Sequence, residues 1–301
     1  MSFHVVLGSG ATGAATARLL ADSGEQVRLI TRRGTGPEHA LIELVAADAT
    51  DADRLTELVE GADTMTNCAA PPYHRWPAEF PSLAAALLTA AERTGVGYVM
   101  LGNTYGYGPV AGPSTEDLPM APNSAKGRVR AAMWRDALAA HEAGRARVTE
   151  VRADTFLGVG ALSNFNLMIA PHVLAGEPAW FPADPDAPRT WTCVDDVARA
   201  LVTIGADERA WGRAWHVPSL HLSARHLADR LAELAGSPAA TLHRMTDQEL
   251  DAMFSTNEIM AELREMQYLL ADPSMLDSTV TERTFGLRAT QLDDVLKPYL
   301  A

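Results

Sequence analysis

Three glycines, Gly8, Gly10 and Gly13, stand in the spacing G-x-G-x-x-G between an apolar run, Val5-Val6-Leu7, and a helical pattern. This arrangement suits a pyrophosphate. Gly8 permits a tight turn, Gly10 lets the backbone come close to the ligand, and Gly13 lets the helix press onto the strand. The N–H groups at the helix start, around Ala11 and Thr12, then face the phosphates from the positive end of the helix dipole. A glycine-rich turn with a purely structural role is the alternative. The next apolar run ends at Thr31-Arg32-Arg33, with no acid before Glu38. A carboxylate there would accept from the ribose 2′-OH of NAD, whereas a guanidinium forks around a 2′-phosphate. The expected cofactor is therefore NADP(H), unless the two arginines are merely solvated. Further along, Pro71-Pro72-Tyr73-His74-Arg75-Trp76 gathers a phenol, an imidazole, a guanidinium and an indole on a backbone stiffened by two prolines. It reads either as a pocket wall with Tyr73 or His74 as proton donor, or as a loop packed down by Tyr73 and Trp76.

The elements that must position these residues follow from periodicity. Strands are expected at Phe3 to Leu7, Gln26 to Thr31, a run ending near Ala46-Ala47, Asp63 to Cys68, Tyr98 to Leu101 and Val148 to Arg152. Helical spacing fills the gaps, through Ala14 to Ala21, Asp51 to Glu60, Ser82 to Arg93 and Gly127 to Glu142. Alternation of this kind implies an α/β fold, a doubly wound parallel sheet (Rossmann) with helices on both faces. Regularity stops near Asp154, and residues 158–190 are rich in Gly, Pro and aromatics, among them Phe165, Trp180, Phe181 and, just beyond, Trp191. A helix starts at Asp195-Asp196, Ala214 to Val217 is a short strand, and the pattern is mostly helical from Ser223 onward. The expected division is a dinucleotide-binding domain, residues 1–153 and 189–218, with a smaller, discontinuous, mainly helical C-terminal substrate lobe, residues 154–188 and 219–301.

With 25 Lys and Arg against 38 Asp and Glu, the net charge is -13, which argues against nucleic acid or an anionic membrane as partner. A phosphorylated cofactor needs only a local positive site. The two cysteines, Cys68 and Cys193, supply neither a disulfide framework nor a metal-binding pattern. No apolar run reaches the ~20 residues needed to span a bilayer, and the expectation is a cytoplasmic protein without metal. Lysine occurs only at 126 and 297.

Further segments resemble the extended and atypical short-chain dehydrogenase/reductases, the NAD(P)-dependent epimerase/dehydratase group, over about residues 3 to 220. Ala47-Asp48-Ala49 is similar to that family's adenine-contacting turn, Cys68-Ala69-Ala70 to its nicotinamide-side turn, and Tyr107-Gly108-Pro109 to its Tyr-Gly signature. Arg152 to Gly158 resembles the entry to the substrate lobe, with Ala153 where Pro is usual, and Val194-Asp195-Asp196-Val197-Ala198 resembles a family helix start. The resemblance implies a small-molecule substrate and leaves room for a homodimer paired through long helices. It breaks at the catalytic positions. The family's Tyr and the Lys four residues later align with Lys126 and Arg130, and its Ser or Thr with Asn103; Leu7 replaces the first glycine of the extended motif.

Lys126, placed beside Arg130 and a cationic nicotinamide, would be readier to give up a proton, or else would anchor a ribose hydroxyl or a phosphate. Arg130 would hold the cofactor. Asn103 can hydrogen-bond a substrate carbonyl but exchanges no proton at neutral pH. Tyr105, two residues on, and Tyr73 are the phenols placed to act instead. Tyr107 is more often structural in the family, Tyr98 begins a strand, and His216 reads as a core or lobe-interface histidine.

The leading expectation is an NADPH-dependent reductase of a small or medium, largely apolar ketone, activated alkene or imine, because a polarised substrate tolerates loss of the usual Tyr. An epimerase or dehydratase using the cofactor transiently ranks below it, since those reactions need a Tyr-type base and usually use NAD. A non-redox NADP-binding sensor or scaffold is the third reading.

Overall fold

The computed structural model describes residues 2–256, 258–272 and 275–300. Strands β1 (Phe3–Leu7), β2 (Gln26–Thr31), β3 (Ile42–Ala46), β4 (Thr64–Asn67), β5 (Gly97–Asn103) and β6 (Arg147–Ala153) alternate with helices α1 (Ala11–Asp22), α2 (Ala52–Val59), α3 (Trp76–Thr94) and α4 (Ala125–Glu142). Then come β7 (Thr155–Leu157), α5 (Ala170–Ala175), β8 (Ala179–Phe181), β9 (Pro188–Cys193), α6 (Val194–Gly205) and β10 (Ala214–His216). Strand β11 (Leu220–Ser223), α7 (Ala224–Ala235), β12 (Leu242–Arg244), α8 (Asp247–Phe254) and α9 (Glu258–Leu263) follow, with short helical segments beyond.

Seven strands form one parallel sheet in the order β10-β6-β5-β4-β1-β2-β3. Alternate residues of β1 divide between its faces. Val5 and Leu7 join Leu55, Phe80, Leu87 and Met133 under α2, α3 and α4, whereas Val6 joins Ala17 and Leu20 of α1. Helix α6 packs beside α1 on the second face. The sheet order reverses between β1 and β4, and the carboxyl ends of strands at such a reversal open the crevice where ligands bind.

Residues after Asp154 build a second core from Phe165, Ile169, Val173, Trp191, Leu227 and Leu231, with a three-stranded sheet β11-β9-β7 and a parallel pair β12-β8. Two elements differ from the pattern-based reading. Helix α3 starts at Trp76 rather than Ser82, because Trp76, Phe80, Leu83 and Leu87 form one buried stripe that carries the helix through Pro81. Residues 158–190 are not irregular throughout. Phe165, Ile169, Ala170 and Val173 bury one face of a helical turn that continues into α5. No helix among the described residues is long and apolar enough to cross a membrane.

Candidate active site

The glycine turn is built as its spacing demands. Gly8 takes φ +88°, and a Cβ there would lie 2.8 Å from the Ala69 backbone. A Cβ on Gly13 would lie 2.0 Å from the Gly8 carbonyl oxygen, so only glycine lets α1 meet the turn. Gly10 has no protein atom within 4 Å of its Cβ position. It is the N-cap of α1, without a side-chain cap and without an acid in the first turn, so the N–H groups of Ala11 and Thr12 keep their positive end for a ligand. Thr12 is buried, and a Cβ on Gly160 would lie 3.8 Å from the Ala11 Cβ.

From this turn a cleft of about 610 Å³ runs past Thr31, Arg32, Arg33, Ala49 and Cys68 to Ala69 and Ala70. Its size falls within the roughly 300–1,000 Å³ of small-molecule sites. The Thr31 hydroxyl accepts from the Thr35 N–H at 2.9 Å, closing the turn that leaves Arg32 and Arg33 exposed at the rim. Asp48 accepts from the Thr50 N–H and hydroxyl, which with the Arg32 charge hold its carboxyl below the usual range. These residues fit a nicotinamide dinucleotide: open backbone at Gly10, N–H groups at the start of α1, and two exposed arginines at the rim.

A second cavity lies where the end of β5 meets the residues after Asp154. Tyr73, Asn103, Tyr105, Asp154 and Thr155 form its polar wall, while Phe156, Leu162, Phe254, Leu263 and Met266 form much of the rest. Asn103 caps a turn by accepting from the Tyr105 N–H at 3.2 Å, so its carbonyl oxygen is used locally. Tyr73 Oη donates to Tyr105 Oη at 3.3 Å. Burial raises both phenols above the ordinary tyrosine range, opposite to the change that would ready them as acids. The Pro71 to Trp76 segment is packed down at one end and lines the cavity at the other. Trp76 is buried and donates to the Pro71 carbonyl at 3.1 Å, while Tyr73 reaches the cavity.

The structure relocates the two residues that replace the family pair. Lys126 is fully buried, 4.5 Å from the Tyr73 ring centroid, and its ammonium donates to Glu262 and, at 2.7 Å, to Glu265. Its ammonium thus faces two carboxylates. Arg130 does not reach the cleft. Its guanidinium sits 4.6 Å over the rings of Trp76 and Phe80 and donates to the Leu101 carbonyl at 3.1 Å. One helical turn separates the two, yet the first leans toward the C-terminal segment and the second turns under the aromatic pair.

Sequence reasoning missed Asp154, Glu262 and Glu265. A carboxylate just past a parallel strand is a legible signal for the first. Nothing local announces that Glu262 and Glu265 meet a lysine more than 130 positions away. Among the described residues no cluster of three or more His, Cys, Asp or Glu can hold a metal ion.

The fold and cleft define a dinucleotide-binding protein of the doubly wound type. The sequence model of the NAD dependent epimerase/dehydratase family matches residues 5–217, and the chain belongs to that family. No match is found among curated proteins. Among solved structures, the chain is similar to MoeE5 in complex with UDP-glucuronic acid and NAD, at 24% identity and TM-score 0.74, covering 98% of this chain and 96% of that one. It is similar to UDP-glucuronic acid 4-epimerase from Bacillus cereus in complex with NAD, at 17% and 0.78, covering 99% and 96%. It is also similar to DesIV, the dTDP-glucose 4,6-dehydratase from Streptomyces venezuelae, at 20% and 0.76, covering 99% and 95%. These likenesses establish the shared fold.

Proposed function

We propose that this chain uses a nicotinamide dinucleotide, NADP(H) by preference, to oxidise a carbinol carbon of a small molecule and reduce it again within one turnover, as an epimerase or dehydratase does. The observation that supports this reading is that the two cavities take their walls from neighbouring stretches of chain. The glycine-lined cleft includes Ala69 and Ala70, and three residues on Tyr73 lines the second cavity, with Asn103 and Tyr105 in the same wall. A substrate held there would lie on the Ala69 and Ala70 side of the glycine-lined cleft. Family membership supports transient over net redox, which reverses the order expected from residues alone.

A dinucleotide, when bound, would supply the hydride acceptor and donor. The chain positions the reactants: apolar side chains around Leu263 and Met266 keep water from the reacting carbon, and Asn103 and Tyr105 orient its oxygen. A net NADPH-dependent reductase is the second reading, favoured by the absence of the usual Tyr and by the carboxylates that occupy Lys126.

Sugar nucleotides and a ketone, alkene and imine panel, each with NADP(H) in deuterated water, separate the readings. An isomerised or dehydrated product at constant NADPH supports the proposal, and steady NADPH oxidation converts it to the second reading. Tight NADPH binding without turnover overturns both in favour of a sensor. Arg32→Ala is expected to weaken NADPH at least tenfold; an unchanged affinity, or NADH binding equally well, removes the NADP preference.

A further inference from the structure

The polar wall of the inner cavity holds one carboxyl, at Asp154, in the gap between the last residue of β6 and the first of β7. Strand pairing sets its place, because Ala153 pairs with Asn103, so Asp154 follows directly beside the residues that end β5. The backbone is pinned by the Asp154 N–H donating to Thr192 Oγ1 at 3.1 Å. One carboxyl oxygen, Oδ1, accepts from the Thr155 N–H at 2.7 Å and from Thr155 Oγ1 at 3.1 Å. The other, Oδ2, has a single long contact, from Thr104 Oγ1 at 3.3 Å. One oxygen is thus fixed and the other only weakly engaged, within a cavity whose remaining walls are largely apolar.

We propose that Asp154 is the acid/base group of this site, exchanging the proton of the substrate oxygen in place of the family's tyrosine. This rests on the reading of the cavity as the place where a carbinol is oxidised and re-reduced. Asp154 takes the hydroxyl proton while the carbinol C–H bond breaks and its electron pair leaves as hydride to the oxidised dinucleotide, forming C=O. In the return direction Asp154 gives the proton to the oxygen as hydride comes back to carbon.

The surroundings favour this carboxyl over its neighbours. Burial pushes Asp154 up from the ordinary aspartate range, against the hydrogen bonds from Thr155 and Thr104 and the more distant charge of Arg189 on β9. Tyr105 after β5 and Tyr268 in the C-terminal segment also face it, and burial raises both. Tyr73 before α3, Glu265 and the Arg130 guanidinium also act on Tyr105. Raising a carboxyl moves it in the direction that suits an acid/base group, whereas raising a phenol moves it further from the working pH.

Asp154→Asn keeps the shape and the acceptor for the Thr155 N–H, and Asp154→Glu keeps the acid. On the substrate found above, Asp154→Asn is expected to lower kcat by about 10²–10⁴-fold, the span of general acid–base catalysis. NADPH affinity should stay unchanged, and a pH-dependent limb of kcat should vanish; Asp154→Glu should recover part of the rate and the limb. A wild-type rate and pH profile in Asp154→Asn overturn the role of Asp154 while leaving the proposed function intact. Carboxyl-carbon NMR of the aspartates gives a readout free of any substrate. The resonance lost in Asp154→Asn should titrate above the other aspartates, and titration within their range overturns the proposal even if no substrate is turned over.

Discussion

A glycine is defined by what its missing side chain leaves room for, and Gly10 and Gly13 differ in this respect. A Cβ on Gly13 would lie 2.0 Å from the Gly8 carbonyl oxygen, so a methyl group there must push α1 off the turn. Gly13→Ala is expected to destabilise the fold by about 1–3 kcal/mol, the usual cost of overpacking, measured by urea unfolding. Gly10 has φ -65° and ψ 177°, open to any residue, and empty space before its Cβ. Gly10→Ala should leave stability within about 0.5 kcal/mol yet weaken the dinucleotide at least tenfold by calorimetric titration, because the methyl fills the place of the approaching phosphates. Normal binding by Gly10→Ala would refute the cradle. Both glycines were legible from spacing because the turn is local and its steric rule is general.

At the scale of elements, α9 and the turn after it are tied to the start of α4. Lys126 meets Glu262 and Glu265, and Glu265 Oε2 also accepts the Ala125 N–H at 2.7 Å. Burial works against the Glu265 charge, but the bonds from Lys126 and Ala125 outweigh it and hold its carboxyl below the ordinary glutamate range. The same segment brings Leu263 and Met266 to the inner cavity, so this tie helps to hold that part of its wall in place. Lys126→Met removes the cation and leaves two carboxylates against the mouth of its pocket. A loss of about 1.5–3 kcal/mol is expected, with faster proteolytic cleavage between α8 and α9. Adding Glu262→Gln and Glu265→Gln to Lys126→Met should restore part of that loss; strict additivity would show the groups to be uncoupled. Glu265, being depressed, contributes fully above the unfolded glutamate value near 4.5, and the contribution fades as pH falls through its lower folded value.

Across the whole molecule, one buried polar cluster joins the sheet to the C-terminal segments. Arg152 is held by Glu150 at 2.7 Å and donates to Tyr107 Oη, which in turn lies 2.6 Å from His216 Nε2. His216 Nδ1 stands 2.8 Å from the Asp277 carbonyl, so the ring donates there and accepts from Tyr107 as a neutral imidazole. Burial, aided by the Arg152 charge and opposed by the Asp277 contacts, lowers His216 to about 4 from 6.5. Between those values the unfolded chain binds a proton that the folded chain refuses, so stability should fall as pH drops from 6.5 toward 4. The slope attributable to this group is at most about 1.4 kcal/mol per pH unit. Wild type and His216→Gln compared by urea unfolding at pH 7 and pH 5 measure it, and an equal pH response in both would count against it. The sequence by itself determined the parallel sheet, the glycine turn and the arginines at its rim, because strand alternation, helix period and turn sterics act over a few residues. It also marked Lys126 and Arg130 as departures from the family pair. Only the tertiary structure decided where those two cations go, that Glu262 and Glu265 meet Lys126, and that Asp154 faces the cavity with one oxygen weakly engaged. Such contacts join chain segments far apart, and the pairing of distant charges depends on packing that no local pattern records.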